Sequence, residues 1–593
     1  MPGIVGLFTK LPASHARRER DVMLRALQHE MFYSSGTWED ESSGAFLGWV
    51  ARKGDSPKPM PLTGTDGRST LIFSGEEFSH DGGAALLDQF ERDCSFPSQW
   101  NGWFHGFASS RSRNSALLFN DRYGLHRLYI HETSESVYFA AEAKAILAVR
   151  PELRSLDSQG LAEFMGCGCV LDNRSLFPKI SVLPPGSAWT LQEGRVRQKA
   201  SYFHLSQWQD QPPMDLPAFH REIRDVFSRA LPRYFQGAGP VAVSLTGGLD
   251  TRLIMAWEPP EARAARSYTF GGMYRDSQDV IIAKKVARAC GRAHTVIPVD
   301  QVFLSRFAHH AERTVYLTDG CVDVSHSPDH YANQIAREIA PVRLTGNYGG
   351  EVLRGLRALR FRKLASGVFA EEFSRIISRV PETLAAGNLT SPLASVVFQD
   401  VPWYHQALLS LEQTQLTLRS PYLDNDFIRT LFQAPAAAFA SNDVYFRLIG
   451  EGRPALGQIR TDSGRAVGPA SVGTLARSSW LELLRKAEYA FDYGMPQRMA
   501  RLGSYLAPRG LERAFLGRNK FYHFRVWYRD SLADYIRDML LDSRSLSRSY
   551  LNRAGVEAAI SGHLTGAANY TLEIHKLLSV ELLHRLILET RNA

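Results

Sequence analysis

A six-residue turn, Thr246-Gly-Gly-Leu-Asp-Thr251, has the residue types of an anion-binding site. Gly247 and Gly248 carry no side chains, so main-chain N–H groups can approach a phosphate closely. The turn opens a helix, and a helix N-terminus favours negative charge. Asp250 supplies a carboxylate suited to holding Mg²⁺ against phosphate oxygens. No lysine follows the glycines, so the turn is not a Walker A loop.

The flanking residues predict the elements that position this turn. Residues 241–245 form a short apolar run typical of a buried strand, and an apolar helical face begins at Leu253. Further strands are predicted at residues 267–271, 293–298 and 341–345, with a helix at 278–290. This alternation predicts a doubly wound parallel sheet, in which ligands bind at the carboxyl ends of the strands. A plain βα turn that binds nothing is the alternative for the six residues.

The rest of the chain divides into two further patterns. From the start to about residue 200, short strand-like runs alternate with turns and a few helical stretches, which predicts an α+β unit with layered sheets. Residues 201–238 carry the apolar spacing of a helix that leads into the strand before the turn. Beyond about residue 360 the chain is predicted to be helical, with Asp424 or Asn425 capping one helix.

Motifs in both halves resemble the asparagine synthetase family. The turn at 246–251 is similar to the pyrophosphate loop of the N-type ATP pyrophosphatases. The phrases that resemble, in order, the family's glutaminase domain are Gly3-Ile-Val-Gly-Leu-Phe8, Ser74-Gly-Glu-Glu-Phe-Ser79, Asn120-Asp-Arg-Tyr-Gly-Leu-His-Arg-Leu-Tyr129, Phe139-Ala-Ala-Glu-Ala-Lys-Ala-Ile146 and Leu176-Phe-Pro-Lys-Ile-Ser-Val-Leu-Pro-Pro-Gly186. The resemblance implies an α/β protein: an N-terminal Ntn-hydrolase-like α+β sandwich over residues 1–200, then a doubly wound, parallel-sheet ATP pyrophosphatase domain with a helical C-terminal part over residues 201–593.

The N-terminal domain departs from that family where glutamine is hydrolysed. Pro2 stands where the family has its nucleophilic cysteine, and Ser74 replaces the asparagine that binds the oxyanion. Residues 28–35 replace the Arg-Gly-Pro-Asp stretch that holds glutamine. Residues 1–200 are therefore predicted to be a retained scaffold without glutaminase activity, either packing against the second domain or helping to hold a bulky substrate.

The resemblance assigns ATP binding to the turn and to the ends of neighbouring strands. The implied ATP-binding residues are Ser244, Leu245, Thr246, Gly247, Gly248, Leu249, Asp250, Thr251, Thr269, Phe270, Gly271, Thr345 and Gly346. Asp250 and Glu351 are the implied Mg²⁺ ligands. Glu351 has a second interpretation, as an acid that complements the N-terminus of a helix.

Several catalytic positions differ from the family pattern. The stretch Gly346-Asn-Tyr-Gly-Gly-Glu-Val-Leu-Arg-Gly355 and the preceding Thr345 resemble the family's Ser-Gly-Glu-Gly-x-Asp-Glu-x-Phe-Gly-Gly element. Asn347 stands where the family has its catalytic glutamate, and Gly350 where it has an Mg²⁺-binding aspartate. Only Glu351 remains of the three carboxylates.

A last departure lies in residues 459–465, where synthetases carry a lysine that stabilises the departing pyrophosphate. This stretch contains Asp462 but no lysine, so Arg460 or Arg465 would have to substitute. Two solvated loop arginines are the alternative. The implied catalytic residues are Asp250, Glu351, Asn347 and Arg460.

Together the motifs imply an amide ligase that adenylates a carboxylate with ATP, releases pyrophosphate, and lets an amine displace AMP. Because the glutaminase is predicted to be inactive, the nitrogen is expected from ammonia or from an amine on a substrate that can be a peptide. The β-lactam synthetases and lasso-peptide cyclases of this family close an internal amide in that way. A weakened nucleotide-binding homologue, an ammonia-dependent asparagine synthetase and a tRNA-modifying pyrophosphatase remain alternatives.

Composition sets the remaining expectations. The 593 residues are too many for one core. No apolar run is long enough to span a membrane and no signal peptide precedes the first strand, so a cytoplasmic protein without a membrane partner is expected. The net charge of +8 comes without a basic run, so nucleic acid is not an expected partner. A homodimer is left open.

Overall fold

The fold is given by a computed structural model. It describes residues 1–590 apart from 54–59, 65–66, 80–82, 93–94, 112–114, 238, 366, 388, 390, 440–441, 463, 465–471, 495–496, 501–511 and 513–515. In this part of the chain, no helix combines the length and the hydropathy that a membrane crossing requires.

Two antiparallel sheets form the N-terminal part. Their strands are β1 (Gly3–Thr9), β2 (Tyr33–Asp40), β3 (Ala45–Arg52), β4 (Leu62–Thr63), β5 (Ser69–Glu77), β6 (Gly102–Ser110), β7 (Ser115–Asn120), β8 (Tyr129–Glu132), β9 (Ser136–Ala140), β10 (Ser181–Val182), β11 (Ser187–Gln192) and β12 (Arg195–Ser201). One sheet has the order β10-β8-β9-β1-β3-β2 and the other β12-β11-β7-β6-β5-β4.

The two sheets pack face to face because each presents an apolar face to the other. Ile4 and Leu47 of one sheet and Ile72 and Phe107 of the other belong to the same buried cluster. Helices α1 (Ala13–Ala26) and α3 (Ala143–Val149) cover one outer face, and α2 (Gly83–Arg92) covers the other. Helix α4 (Ser158–Cys167) instead packs against the helix Glu371–Ala386 of the second part. The resulting order of layers, helix, sheet, sheet, helix, confirms the predicted sandwich.

A parallel sheet of five strands organises the second part. The strands are β13 (Val241–Ser244), β14 (Arg266–Gly272), β15 (His294–Val299), β16 (Val342–Leu344) and β17 (Thr417–Arg419). Their order is β15-β14-β13-β16-β17, and every neighbouring pair is parallel. The chain builds outward from β13 on one side and then returns to build on the other. The topological switch point therefore lies between β13 and β16, where such sheets bind ligands.

Helices connect these strands and continue to the end of the described chain. They are α5 (Ser206–Gln209), α6 (Leu216–Ala230), α7 (Asp250–Ala256), α8 (Gln278–Ala289), α9 (Gln301–Ser305), α10 (Phe307–Leu317), α11 (Ser327–Ile339), α12 (Gly349–Arg354), α13 (Glu371–Ala386), α14 (Pro392–Ser395), α15 (Gln406–Glu412), α16 (Asn425–Phe432), α17 (Asp443–Gly452), α18 (Pro454–Gly457), α19 (Val472–Tyr489), α20 (Gln497–Ala500), α21 (Phe524–Arg529), α22 (Ala533–Leu540), α23 (Ser543–Leu546), α24 (Arg553–Leu564) and α25 (Thr571–Leu583). A π-helical segment, Val396–His405, precedes α15.

The fold class is confirmed in both parts: a layered α+β sandwich followed by a doubly wound parallel sheet with a helical C-terminal part. Asp424 caps α16, as predicted, because its carboxylate accepts hydrogen bonds from the N–H groups of Asp426 and Phe427. The boundary near residue 200 stays a prediction, although the change from antiparallel to parallel strands falls after Ser201.

Candidate functional site

A cavity of about 250 Å³ opens at the switch point of the parallel sheet. It lies at the carboxyl ends of β13, β14 and β16, beside the starts of α7 and α12. Its lining residues are Ser244, Leu245, Thr246, Asp250, Thr251, Tyr268, Thr269, Phe270, Asp279, Arg343, Thr345, Gly346, Asn347, Glu351 and Phe521. The sheet thus brings the turn at 246–251 and the loop at 345–351 together, although about 100 residues of chain separate them.

The glycine turn is held by a carboxylate from the next helix of the sheet. The N–H of Gly247 donates to Oδ1 of Asp279 over 2.7 Å. Burial raises the pKa of Asp279 to about 6. This main-chain group therefore already points at a negatively charged oxygen, as it would toward a phosphate. The N–H of Gly248 donates to Oγ1 of Thr246 over 3.3 Å.

Asp250 is fastened to three side chains at the start of α7. The Tyr445 hydroxyl donates to its carboxylate, and Nη2 of Arg354 lies 3.4 Å from its Oδ2. The Tyr422 hydroxyl donates to its carbonyl oxygen over 2.6 Å. Burial raises the pKa of the Asp250 carboxyl, and the neighbouring Arg354 guanidinium opposes that shift.

The facing loop approaches Asp250 so closely that only glycine fits at two positions. A Cβ at Gly349 would lie 2.7 Å from Oδ1 of Asp250, and one at Gly346 would lie 2.7 Å from the backbone nitrogen of Thr251. Both contacts are shorter than side chains tolerate. The glycines therefore allow the two loops to share one cleft.

Arg354 occupies the space that a side chain at position 350 would need. A Cβ built at Gly350 would lie 2.6 Å from Nη2 of Arg354. In the motif alignment, Gly350 replaces the family's aspartate and Arg354 replaces a glycine. A guanidinium thus lies beside Asp250, near the position at which the resemblance implies a second carboxylate.

Glu351 is a carboxyl group that can exchange a proton near neutral pH. Burial raises its pKa to about 7, and the negative charge of Asp250 adds to the shift. Its Oε1 lies 3.7 Å from Nε2 of His405, whose own pKa is lowered to about 4 by burial. His405 is therefore neutral at pH 7, and Glu351 titrates beside it.

Tyr348 adopts an unusual backbone conformation between these loops. Its φ of 72° lies in the left-handed region, which is strained for a residue with a side chain. The ring is buried and makes edge contacts with Trp103, at 5.8 Å between centroids, and with His405, at 5.3 Å. Packing of the ring holds the backbone in place.

Five predicted site residues lie outside the cavity lining: Gly247, Gly248, Leu249, Gly271 and Arg460. Leu249 is buried, and the Cβ position of Gly271 faces Val296 within the sheet. Arg460 is exposed, and its carbonyl accepts from Arg252 over 3.4 Å.

The segment that carries Arg460 is nevertheless fastened to the glycine turn. The N–H of Asp462 donates to the carbonyl of Gly247 over 3.3 Å. Arg465, the second arginine proposed to replace the lysine, lies outside the described residues.

Sequence reasoning missed several residues of the site. Asp279 could have been predicted, because it starts a helix that follows a strand of the parallel sheet. Such positions lie at the carboxyl ends of the strands, where these sheets bind ligands. Tyr445 comes from α17 and Phe521 from the loop before α21, and no local pattern predicts that either residue reaches the site. The buried hydroxyl of Tyr268 has no hydrogen-bond partner in the described part of the chain. An orphaned polar atom in the cleft wall fits a polar ligand such as a nucleotide.

The predicted metal ligands, Asp250 and Glu351, both line the cleft, and Mg²⁺ binding by this pair stays a prediction. Arg354 and Tyr445 engage the oxygens of Asp250, and the third candidate position is Gly350. Across the described residues, no group of three or more His, Cys, Asp or Glu side chains is placed to hold a metal ion. The charged group that lies beside Asp250 is the guanidinium of Arg354.

A separate cavity of about 270 Å³ lies in the N-terminal sandwich, where β5 meets β17 of the parallel sheet. Pro2 and Ser74 both line it, so the two departures from the glutaminase pattern share one pocket. Across it, the Arg419 guanidinium donates to both carboxylate oxygens of Glu76, over 2.8 and 2.5 Å. This pocket is spanned by an ion pair between the two parts of the chain.

The fold and the two cavities define a class of two-part proteins, in which an Ntn-hydrolase-like sandwich is joined to a sheet of the ATP pyrophosphatase type. A glutamine amidotransferase domain model matches residues 85–203, and an asparagine synthase model matches residues 222–459. These two matched parts of the chain resemble the asparagine synthetase family.

Named relatives agree with this placement. The chain is 21% identical over 403 residues to asparagine synthetase [glutamine-hydrolyzing] 1 of Bacillus subtilis, a match that covers 62% of either chain. It is 24% identical over 342 residues to asparagine synthetase [glutamine-hydrolyzing] 3 of the same organism, covering 50% of this chain and 53% of that one. The matches thus span about three fifths or less of these relatives.

Solved structures overlap with the chain more weakly. Glutamine phosphoribosylpyrophosphate amidotransferase from B. subtilis, complexed with ADP and GMP, matches with a TM-score of 0.25 and 11% identity, covering 50% of this chain and 81% of that one. A structure described as the allosteric regulatory enzyme of purine biosynthesis matches with a TM-score of 0.26 and 10% identity, covering 50% and 80%. At these TM-scores the fold class rests on the strand orders and layers described above.

Proposed function

We propose that this protein is an ATP-dependent amide ligase, which adenylates a carboxylate, releases pyrophosphate and transfers the acyl group to an amine. One observation carries the proposal: the glycine turn at 246–251 and the loop at 345–351 meet in one cleft at the switch point of a parallel sheet. This is where open α/β sheets bind nucleotides and where a helix N-terminus favours phosphate.

The residues of the cleft suit the two halves of the reaction. Tyr268 and Thr269 of β14 offer polar contacts to the nucleoside, and the hydroxyls of Thr246 and Thr251 line the cleft on the side of the turn. The N–H of Gly247 would reach a phosphate only by leaving the Asp279 carboxylate. Glu351, with its pKa of about 7, would accept the proton of the attacking amine. His405 beside it is neutral at pH 7, because burial lowers its pKa to about 4, so it adds no positive charge that would lower the pKa of Glu351.

Glutamine is not the proposed nitrogen source. The family's cysteine is replaced by Pro2 and its oxyanion-binding asparagine by Ser74, and both replacements line the N-terminal pocket. The nitrogen is instead expected from ammonia or from an amine on the substrate, which includes an internal amine of a peptide, as in lasso-peptide or β-lactam formation.

Three further expectations from the sequence accompany this proposal: a metal ion, a cellular location and an oligomeric state. Magnesium bound at Asp250 and Glu351, a cytoplasmic location and a homodimer stay predictions. A weakened homologue that only binds nucleotide is the second candidate, and the Asp279 carboxylate on the N–H of Gly247 is the observation that favours it.

A pyrophosphate-release assay tests the proposal. The full chain is incubated with ATP, a panel of carboxylic acids, and ammonia or primary amines, with and without MgCl₂ and with glutamine as a separate nitrogen source. At least one acid and amine pair should release pyrophosphate together with AMP, and glutamine should not replace the amine. ATP binding without pyrophosphate release from any pair would instead establish the weakened homologue.

A further inference from the structure

A second cavity, of about 580 Å³, lies beside the cleft and is more than twice as large. Its walls come from the end of α4, residues 321–326, residues 358–364, residues 404–408, residues 489–493, Tyr522 and the start of α25. The volume is within the range of about 300–1,000 Å³ that is usual for pockets holding drug-sized ligands. It is far larger than an amino acid such as aspartate needs.

The lining carries positive charge that the protein does not neutralise. Arg360 and Arg362 are exposed at this cavity, and neither forms an ion pair with a carboxylate in the described part of the chain. Nε of Arg360 donates only to the carbonyl of Arg357, over 3.0 Å. The third cation, Lys576, is paired with Asp323 at 2.7 Å. An anion that enters here would meet two free guanidinium groups, which suit carboxylates.

Tyrosine side chains make the inner wall flat and polar. Tyr404, Tyr493 and Tyr522 line the cavity, and no hydrogen bond to their hydroxyls occurs within the described residues. Burial raises the pKa of the Tyr493 and Tyr522 hydroxyls, so they stay protonated and can donate. Behind them, Nζ of Lys520 lies 3.9 Å from the centre of the Tyr493 ring and is paired with Asp492, which fixes the rings.

One buried histidine adds an unsatisfied polar atom to this wall. His575 is 2% exposed, and its Nδ1 is hydrogen-bonded to the Tyr528 hydroxyl over 2.8 Å. Its Nε2 has no partner among the described residues. A buried polar atom is rarely left unpaired unless a ligand or water meets it.

The second cavity shares a wall with the cleft, and the wall is one residue thick. Tyr404 lines the large cavity, whereas the next residue, His405, contacts Glu351 of the cleft. In the same way Phe521 lines the cleft and Tyr522 lines the large cavity. A molecule that contacts Tyr404 in the large cavity would therefore lie one residue along the chain from His405, which contacts Glu351.

The N-terminal sandwich closes another side of this cavity. The N–H of Arg362 donates to the carbonyl of Gly166 over 2.7 Å. A Cβ at Gly168 would lie 3.5 Å from Nζ of Lys576 and 3.6 Å from the Tyr404 ring. The end of α4 is therefore part of the wall, which gives the sandwich a role that needs no glutaminase chemistry.

We propose that the 580 Å³ cavity binds the acyl donor of the amide ligase, a drug-sized carboxylic acid with a flat apolar middle and a second anionic group. Its reacting carboxylate lies at the wall shared with the cleft, its middle against the tyrosines, and its second anion between Arg360 and Arg362. The location at the reaction site rests on the proposed function, whereas the binding chemistry rests on the cavity alone.

Calorimetric binding to the full chain tests this inference with three probes. N-benzoyl-glutamate has a ring and two carboxylates, N-benzoyl-glutamine has the same size and one carboxylate fewer, and aspartate has two carboxylates and no bulk. We expect N-benzoyl-glutamate to bind at least fivefold more tightly than either other probe. The double substitution Arg360→Gln, Arg362→Gln should remove that preference. Lys363→Gln is the matched control, because Lys363 is exposed beside the two arginines but does not line the cavity.

ATP binding, measured on the same chains, separates this inference from the proposed function. Unchanged ATP binding in the double variant with lost N-benzoyl-glutamate binding supports both. Equal affinity for the three probes, equal weakening by Lys363→Gln, or no binding of any probe by a chain that binds ATP overturns the acid-binding cavity and leaves the ligase intact. Selective probe binding by a chain that does not bind ATP overturns the ligase and retains the cavity.

Discussion

The N-terminal pocket and the cleft of the parallel sheet depart from the family's sequence pattern in different ways. In the pocket, Pro2 and Ser74 stand where the resemblance places a cysteine and an asparagine, and an ion pair of Glu76 with Arg419 joins the two parts of the chain. In the cleft, a missing carboxylate at Gly350 is matched by a new cation from Arg354, placed against Asp250. The pocket thus keeps an ion pair that joins the two parts of the chain, whereas in the cleft the replaced position 350 is accompanied by a new positive charge beside Asp250.

Asp250→Ala gives the sharpest test of this difference. The carboxylate lies where the two loops meet, so its loss should lower pyrophosphate release by at least about 100-fold. Steady-state assays with ATP and the best acid and amine pair measure the effect. Asp426→Asn is a suitable control, because that carboxylate is exposed and pairs only with Arg429. Equal rates for wild type and Asp250→Ala would contradict the assignment of the cleft.

Glu351→Gln should have the next largest effect, about 100-fold on the rate of amide formation, since proton transfer by a positioned group contributes on that scale. In the wild type the rate should fall as pH drops below about 7, because the raised pKa of Glu351 leaves the carboxyl protonated there. The variant should lack that limb of the pH profile. An unchanged profile would remove Glu351 from the reaction.

The same substitution has a second signature, in stability. The pKa of Glu351 is raised by folding, so its stabilising contribution is complete below the unfolded value near 4.5 and is lost as pH rises through about 7. Urea unfolding should therefore show Glu351→Gln gaining stability relative to wild type between pH 5 and pH 8.

Arg354→Ala is expected to lower pyrophosphate release by about tenfold, which corresponds to about 1.4 kcal/mol. Without the guanidinium, the pKa of Asp250 should rise further, because the cation that opposes the effect of burial is gone. The pH profile should shift upward accordingly. Arg354→Lys should restore part of the rate, and a profile identical to wild type in Arg354→Ala would show that the arginine only fills space.

Substitutions in the N-terminal pocket should change stability rather than rate. Glu76→Gln leaves the buried Arg419 without its carboxylate and should lower the free energy of unfolding by about 3 kcal/mol. The rate of amide formation by the folded fraction should stay within about twofold. Ser74→Ala, in the same pocket, should change neither quantity. A large loss of rate in Ser74→Ala would mean that the pocket still takes part in chemistry.

The sequence predicts those parts of the site that depend on local geometry. A strand, two glycines and a helix in succession can only make a tight turn, so the position of Gly247 and Gly248 followed from residue types alone. Strand β17 was missed because three buried residues carry too little periodicity to signal a strand. The salt bridge of Arg354 with Asp250 was also missed, because it depends on how two distant loops pack.

The prediction for Arg460 shows that a match in sequence does not fix where a side chain points. Its place in the chain follows the family, and its segment does contact the turn, but the side chain is exposed and lies outside the lining. Alignment locates a segment, whereas the direction of one side chain depends on loop conformation. Its role in charge stabilisation therefore stays a prediction.

The left-handed backbone of Tyr348 links the N-terminal pocket to the cleft of the parallel sheet. Its left-handed backbone costs about 1–2 kcal/mol relative to glycine, and the ring clamped between Trp103 and His405 offsets that cost. Trp103 belongs to the N-terminal pocket, and Tyr348 immediately precedes the helix that carries Glu351. A side chain of the N-terminal pocket thus holds the strained peptide that leads into the helix of Glu351, so a change at Trp103 would be felt in the cleft.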